Sequence, residues 1–367
     1  MRSKLMLLAV AAMLAAVPHH VAFALDQRDV QRDLASCDQS ADWDRKVAGC
    51  SKVLAEVGSR LPPDAQSMIY TARGTGWAAK NDLARAIIDF NEALRLNPKN
   101  IVALGNRGGA YIIKGEPAKA IADLDAVIAL NPKNPAPFSA RGVLWRQEKE
   151  FDKSLADLNE AIRLDPKSSG AHDNRALTYR DMGDYDRAIA DLDDAIRINP
   201  QDEKAFGNRG DLWRLKGDLV HALADLDVQI QQHPKDSFGL RLRGDTYRYK
   251  GDLTQALADY NAALVVEPDA ISTFVGRGLT YEKAGDLDRA RADFKSALAS
   301  GEQLRFDTNK ASLETARSRL AAYDSGDAQP KIQPAPGKVT SPTSIPTQVA
   351  AAPILTKPVP ADRKSVV

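Results

Sequence analysis

The chain holds 367 residues, 44% hydrophobic and 27% charged, at a formal net charge of +1. That is the balance of a protein that can build a core, not of a disordered polymer. It also lacks the basic excess that marks a nucleic-acid binder, so no nucleic acid is expected as partner. Aromatic residues make up only 6% of the chain, so the core must rest on Ala, Leu, Ile and Val.

Residues 1–24 read as a secretory signal peptide. Arg2 and Lys4 precede an apolar stretch over residues 5–17, too short to span a bilayer as a helix. Ala22-Phe23-Ala24 supplies the small residues of a cleavage site, and cleavage is expected after Ala24. The alternative is an N-terminal anchor. The cleaved reading leaves no stable membrane anchor and predicts a periplasmic or secreted protein. An oxidising compartment favours pairing of Cys37 with Cys50, the only cysteines.

From residue 67 a 34-residue period takes over. Proline recurs at Pro98, Pro132, Pro166, Pro200, Pro234 and Pro268. Arginine keeps the same period at Arg73, Arg107, Arg141, Arg175, Arg209, Arg243 and Arg277, and aspartate at Asp89, Asp123, Asp157, Asp191, Asp225, Asp259 and Asp293. With Ser67 as position 1, seven repeats fill residues 67–300. Each parses as two helices. Small residues at position 8, such as Gly74 and Ala176, and aromatics at position 11, such as Trp77 and Tyr179, share one face of the first. Glycine at position 15 ends that helix in five repeats. Asn81 stands there in the first repeat and Lys149 departs from the pattern in the third. An acid at position 16 then suits the start of the second helix. Small residues at positions 20 and 27 flank a large apolar one at 24, such as Phe90 or Leu192, in one helical stripe. Proline at position 32 closes the repeat.

These residues resemble the tetratricopeptide repeat family, whose pattern of small residue at 8, aromatic at 11, Ala at 20, bulky apolar at 24, Ala at 27 and Pro at 32 they follow. Departures are Ser154 at position 20, Val127 and Gln229 at position 27, and the missing proline of the seventh repeat. The expected fold is all-α, a right-handed superhelical solenoid of stacked helical hairpins. In the same frame residues 25–66 form a degenerate earlier hairpin. Cys37 falls at position 11 and Cys50 at position 24, which should meet across it. A disulfide there closes a loop of about 14 residues, worth roughly 3 kcal/mol on the chain-entropy model; two buried free thiols are the alternative. Residues 301–324 read as a capping helix. The tail, residues 325–367, holds eight prolines and is expected to be disordered.

No constellation for catalysis is visible, and neither a cofactor nor a metal is expected. The histidines past the leader, His172, His221 and His233, occupy unrelated repeat positions, and none has a ligand-type partner at metal spacing. Arginine at position 7, where the family usually has an apolar residue, and aspartate at position 23 predict one partly buried ion pair per repeat, within a hairpin or between neighbours. Its expected role is to fix register; ligand binding by the seven arginines is the alternative.

The resemblance implies a concave groove lined by positions 2, 5, 6, 9, 12 and 13 of the first helices. The candidate groove residues are Arg146, Asn174, Arg180, Asn208, Arg214, Phe238, Arg241, Arg248 and Tyr249. Guanidinium and amide groups at regular spacing suit an extended partner bearing carboxylates or carbonyls. Equally, Asp211 and Asp245 can neutralise Arg214 and Arg248 along their own helices. No repeat has the Lys at 5 with Asn at 9 of the family's carboxylate clamp. The chain reads as a non-enzymatic scaffold or adaptor that binds a protein or peptide outside the cytoplasm. A role in cell-envelope polysaccharide or outer-membrane assembly is the alternative.

Overall fold

A computed structural model of the protein describes residues 27–38, 42–303 and 309–325. The expected signal peptide, and the expected tail beyond residue 325, lie outside the described residues. Seventeen α-helices follow one another, with no strand among the described residues. Helices α1 (Gln27–Asp38) and α2 (Trp43–Glu56) form the N-terminal hairpin. The repeats follow as α3 (Pro63–Ala79) and α4 (Leu83–Leu96), α5 (Ile101–Ile113) and α6 (Pro117–Leu130), α7 (Pro135–Gln147) and α8 (Phe151–Leu164), and α9 (Ser169–Asp181) and α10 (Tyr185–Ile198). Next come α11 (Glu203–Lys216) and α12 (Leu219–Gln232), α13 (Ser237–Lys250) and α14 (Leu253–Val266), and α15 (Ile271–Lys283) and α16 (Leu287–Gln303). Helix α17 (Lys310–Asp324) comes last. The chain divides into two compact blocks, one through Glu148 and one from Lys149, so the border falls in the turn of the third repeat. Within each block every helix packs on its neighbours in sequence, as expected of hairpins that cannot bury their apolar faces alone.

Two boundaries differ from the sequence reading. Helix α3 starts at Pro63, before the repeat frame does, because proline at the first helical position already has a helical φ. Helix α16 runs on to Gln303, since the seventh repeat lacks the proline that stops the others, and the capping helix α17 begins only at Lys310. Ala316 of α17 is fully buried, and Leu313, Leu320 and Tyr323 pack on Phe294 and its neighbours in the last hairpin.

The hairpins close where position 8 is small. A Cβ on Gly74 would lie 2.7 Å from the Phe90 ring, and one on Gly278 would lie 2.8 Å from Phe294. The position-24 side chain therefore fills the space that a larger residue at position 8 would take, and Phe90, Leu192 and Phe294 are fully buried. Two of the departures are accommodated locally. Ser154 hydrogen-bonds Thr178 at 3.0 Å, and Gln229 fits because Gly207 and Gly239 leave room for its amide. The position-11 aromatics carry a second contact: Arg85, Arg187 and Arg289 lie over Trp77, Tyr179 and Tyr281 at 3.8, 4.5 and 4.6 Å. These arginines also bind the N-cap aspartates Asp82, Asp184 and Asp286, which accept from their backbone N–H groups. Glu116 and Glu150, one methylene longer, make no side-chain cap.

The position-7 arginine makes the recurrent polar contact. In six repeats its Nε and Nη2 donate to the two oxygens of the position-23 aspartate of the same hairpin, at 2.8–2.9 and 2.6–2.7 Å. In the third repeat Arg141 and Asp157 fall in different blocks. The remaining nitrogen, Nη1, reaches the second helix of the preceding repeat at position 25. Arg107 donates to Asn91, Arg175 to Asn159, Arg209 to Asp193, Arg243 to Asp227 and Arg277 to Asn261, at 2.6–2.7 Å. Arg141 makes the corresponding bond to Asp125. The ion pair foreseen as either within a hairpin or between neighbours is thus both at once. The aspartates are buried and the arginines about one-fifth exposed.

The N-terminal hairpin lacks this latch. Its position 7 is Asp33 and its position 23 is Gly49, where a Cβ would lie 2.6 Å from the Asp33 carbonyl oxygen. The helices approach closely there, and Cys37 and Cys50 form a fully buried disulfide with their Cα atoms 4.6 Å apart.

Two stability tests follow. Replacing Asp191 by Ala leaves the Arg175 guanidinium without its carboxylate and should destabilise by about 2–3 kcal/mol, lowering the Tm by several degrees; an unchanged melt would remove the structural role. Lys149 sits at φ +62°, in the left-handed region that Gly115, Gly183, Gly217, Gly251 and Gly285 occupy at the same repeat position. Lys149→Gly should therefore stabilise by about 0.5–1 kcal/mol, whereas Gly183→Ala should destabilise by about 1 kcal/mol in the same denaturant titration.

Candidate partner-binding face

In the C-terminal block the groove candidates lie on successive first helices, α9, α11 and α13. Each arginine of the position-12 row is held by a carboxylate of its own helix. Arg180 donates from Nε and Nη2 to Asp181 at 3.1 and 2.8 Å. Arg214 does the same to Asp211 at 3.1 and 2.5 Å. Arg248 lies 3.6 Å from Asp245, and its Nε reaches the Tyr260 hydroxyl at 3.4 Å. The local neutralisation anticipated for Arg214 and Arg248 is therefore present, and these side chains are only 11% and 14% exposed.

A denser cluster surrounds Asp245. Arg241 donates to its Oδ2 at 2.9 Å, and the Tyr260 hydroxyl donates to Oδ1 at 2.7 Å. Burial opposes ionisation of Asp245. Arg241, Arg248 and Arg214 outweigh it, so the carboxyl titrates below its ordinary value. Burial and the Asp245 carboxylate push the Tyr260 phenol upward, which keeps it a donor. Tyr249 carries both flanking guanidiniums, with Arg248 4.6 Å and Arg214 5.6 Å from its ring centre. Arg241 lies 5.1 Å from the Phe238 ring. Three guanidiniums thus face two carboxylates, Asp211 and Asp245, beside two half-buried aromatic rings.

The structure brings together Arg214, Phe238, Arg241, Arg248 and Tyr249. Asn208 links α11 to α9 through its Nδ2, which donates to Asp173 at 2.7 Å. Arg180 and Asn174 lie on α9, where the Asn174 carbonyl accepts from Thr178 at 3.1 Å. Arg146 belongs to α7 in the other block and is buried. Tyr260 was missed in the sequence because its position, 24, is an ordinary core position. Only its hydroxyl, where other repeats have Leu or Phe, could have signalled a polar role. His172 was also set aside, yet its imidazole, Asp191 and Asp194 converge in the fourth repeat. Among the described residues no helix is long and apolar enough to cross a membrane.

Comparison with known proteins bears on the repeats and the fold. A family described as Tetratricopeptide repeat matches residues 107–169 and 174–237, and one described as TPR repeat matches residues 244–285. No curated protein matches the chain in sequence. Among solved structures, a tetratricopeptide repeat protein from Parabacteroides merdae superposes with a TM-score of 0.58 at 22% identity, over 68% of this chain and 98% of that one. Pseudomonas aeruginosa PilF gives 0.50 at 18% identity, over 57% and 96%. Yeast Tom70 gives 0.51 at 16% identity, over 83% and 66%. At such identities the likeness is one of fold. Repeats of this kind generally serve as protein-interaction modules rather than enzymes. The repeat frame, the all-α hairpin architecture and these matches agree that residues 107–169, 174–237 and 244–285 are tetratricopeptide repeats.

Proposed function

We propose that this protein is an exported scaffold that holds an extended peptide segment against α9, α11 and α13. The cluster around Asp245 carries the reading. Its two carboxylates fix the three guanidiniums in place and offset two of their charges, leaving one positive charge in excess beside Phe238 and Tyr249. Arg214 uses Nε and Nη2 on Asp211 and has no Nη1 hydrogen bond among the described residues. A guanidinium fixed in this way loses little conformational freedom when it meets a peptide carbonyl or carboxylate. The half-buried rings offer apolar contact beside it, the pairing of anchor and polar contact found at interface hot spots. The partner that suits this face is an extended segment with an acidic side chain or C-terminus next to an apolar residue. Residues 1–24 support delivery outside the cytoplasm, where the Cys37–Cys50 disulfide persists.

Two measurements test this reading. The mature protein recovered from the envelope fraction of a bacterial host should begin at Leu25; an intact N-terminus at Met1 would contradict export. For binding, Arg214→Gln combined with Asp211→Asn removes the charge pair together and leaves no orphan ion. This double variant, with helicity unchanged, should bind at least tenfold more weakly to the acidic peptides that wild type selects from a peptide library. Equal binding by both proteins would exclude this face.

A further inference from the structure

We infer that the fourth repeat contains a binding site for a divalent transition-metal ion, built by His172, Asp191 and Asp194. One ligand-type atom from each lies within 4.8 Å of the others. His172 opens α9, and the two aspartates lie three residues apart on α10, hence on one face. The independent sign is the imidazole itself. His172 is only 7% exposed, yet its Nδ1 has no hydrogen-bond partner. It lies 3.6 Å from Oδ1 of Asp191, too far for a hydrogen bond. A buried ring nitrogen without a partner is costly in a native core, and a metal bound between imidazole and carboxylates removes the cost.

The same repeat position shows that this is not a packing requirement. It holds Phe138, Phe206 and Phe274 in other repeats, each with its ring 5.7–5.9 Å from the position-7 arginine. Only the fourth repeat places a histidine there. Asp191 is already bonded to Arg175 at 2.6 and 2.8 Å, but each carboxylate oxygen has a second lone pair. The guanidinium would then orient the ligand carboxylate, as outer partners do in metal sites. Asp194 binds Arg197 through one oxygen at 2.6 Å and is 43% exposed, so it offers both a ligand atom and an open approach. An imidazole with two carboxylates favours Zn2+ or a similar transition ion over Ca2+ or Mg2+, which take oxygen-rich shells. Three protein ligands leave a fourth position for water.

The test is isothermal titration of the chelator-treated full chain with Zn2+ alone, with a Zn2+ thermal shift alongside. Wild type should bind one ion per chain and melt higher with it. His172→Phe, which installs the residue found in other repeats, should weaken Zn2+ binding at least tenfold and abolish the shift. Asp194→Asn, at a half-exposed position, should do the same and decides the matter if His172→Phe loses helicity. No stoichiometric binding by wild type, or equal affinity in wild type and the folded variant, would overturn the assignment.

Discussion

The structure depends on where one guanidinium per repeat sends its three donor nitrogens. In six of the seven repeats two go to the aspartate across the same hairpin, and the third goes back to the second helix of the preceding hairpin. A single buried ion pair adds little net stability, because desolvation offsets the Coulomb attraction. A fork that must meet both partners at once does something different: it fixes the angle within a hairpin and the register between hairpins together. Only arginine has that geometry, since lysine presents one compact charge and cannot span a carboxylate and a second acceptor in one plane. The apolar stripe around Phe90, Leu192 and Phe294 supplies the driving force for stacking, and the arginine selects one stacking geometry.

The N-terminal hairpin supports this view by contrast. Nothing precedes it among the described helices for an arginine to reach, and both latch positions have changed, to Asp33 and Gly49. Cys37 and Cys50 take over the cross-hairpin constraint at the positions where other repeats place an aromatic and a bulky apolar side chain. Ser51, at position 25 of this hairpin, still receives the Nη1 of Arg73 at 3.4 Å. At the other end α17 substitutes for a further hairpin, and Tyr323 donates to Glu282 at 3.0 Å.

Much of this was legible in the sequence because a repeat displays each physical requirement many times over. The period, the two-helix parse, the small residue at position 8 and the Cys37–Cys50 pairing all rest on local rules of spacing. What escaped depends on which residues the stack brings together. That one arginine serves two hairpins cannot be read from a period, since both partners recur in phase with it. Tyr260 looked like core because its ring is core; only its hydroxyl joins the Asp245 cluster. His172 stands far in sequence from Asp191 and Asp194, and the fixed spacings by which metal sites are recognised do not cover a helical stack. The repeat frame does not say where the terminal helices begin: α3 starts at Pro63, ahead of the frame, and α17 at Lys310.

If the arginine fork couples neighbouring repeats, damage to one must be felt in the repeat before it. Native-state hydrogen exchange on Arg209→Gln measures this directly. Arg209 lies on α11, its carboxylate Asp225 on α12, and its third partner Asp193 on α10 at 2.6 Å. The account predicts that amides of α10 lose protection along with those of α11 and α12. Loss confined to α11 and α12, or no loss at all, would contradict the claim that this residue sets the register of the array.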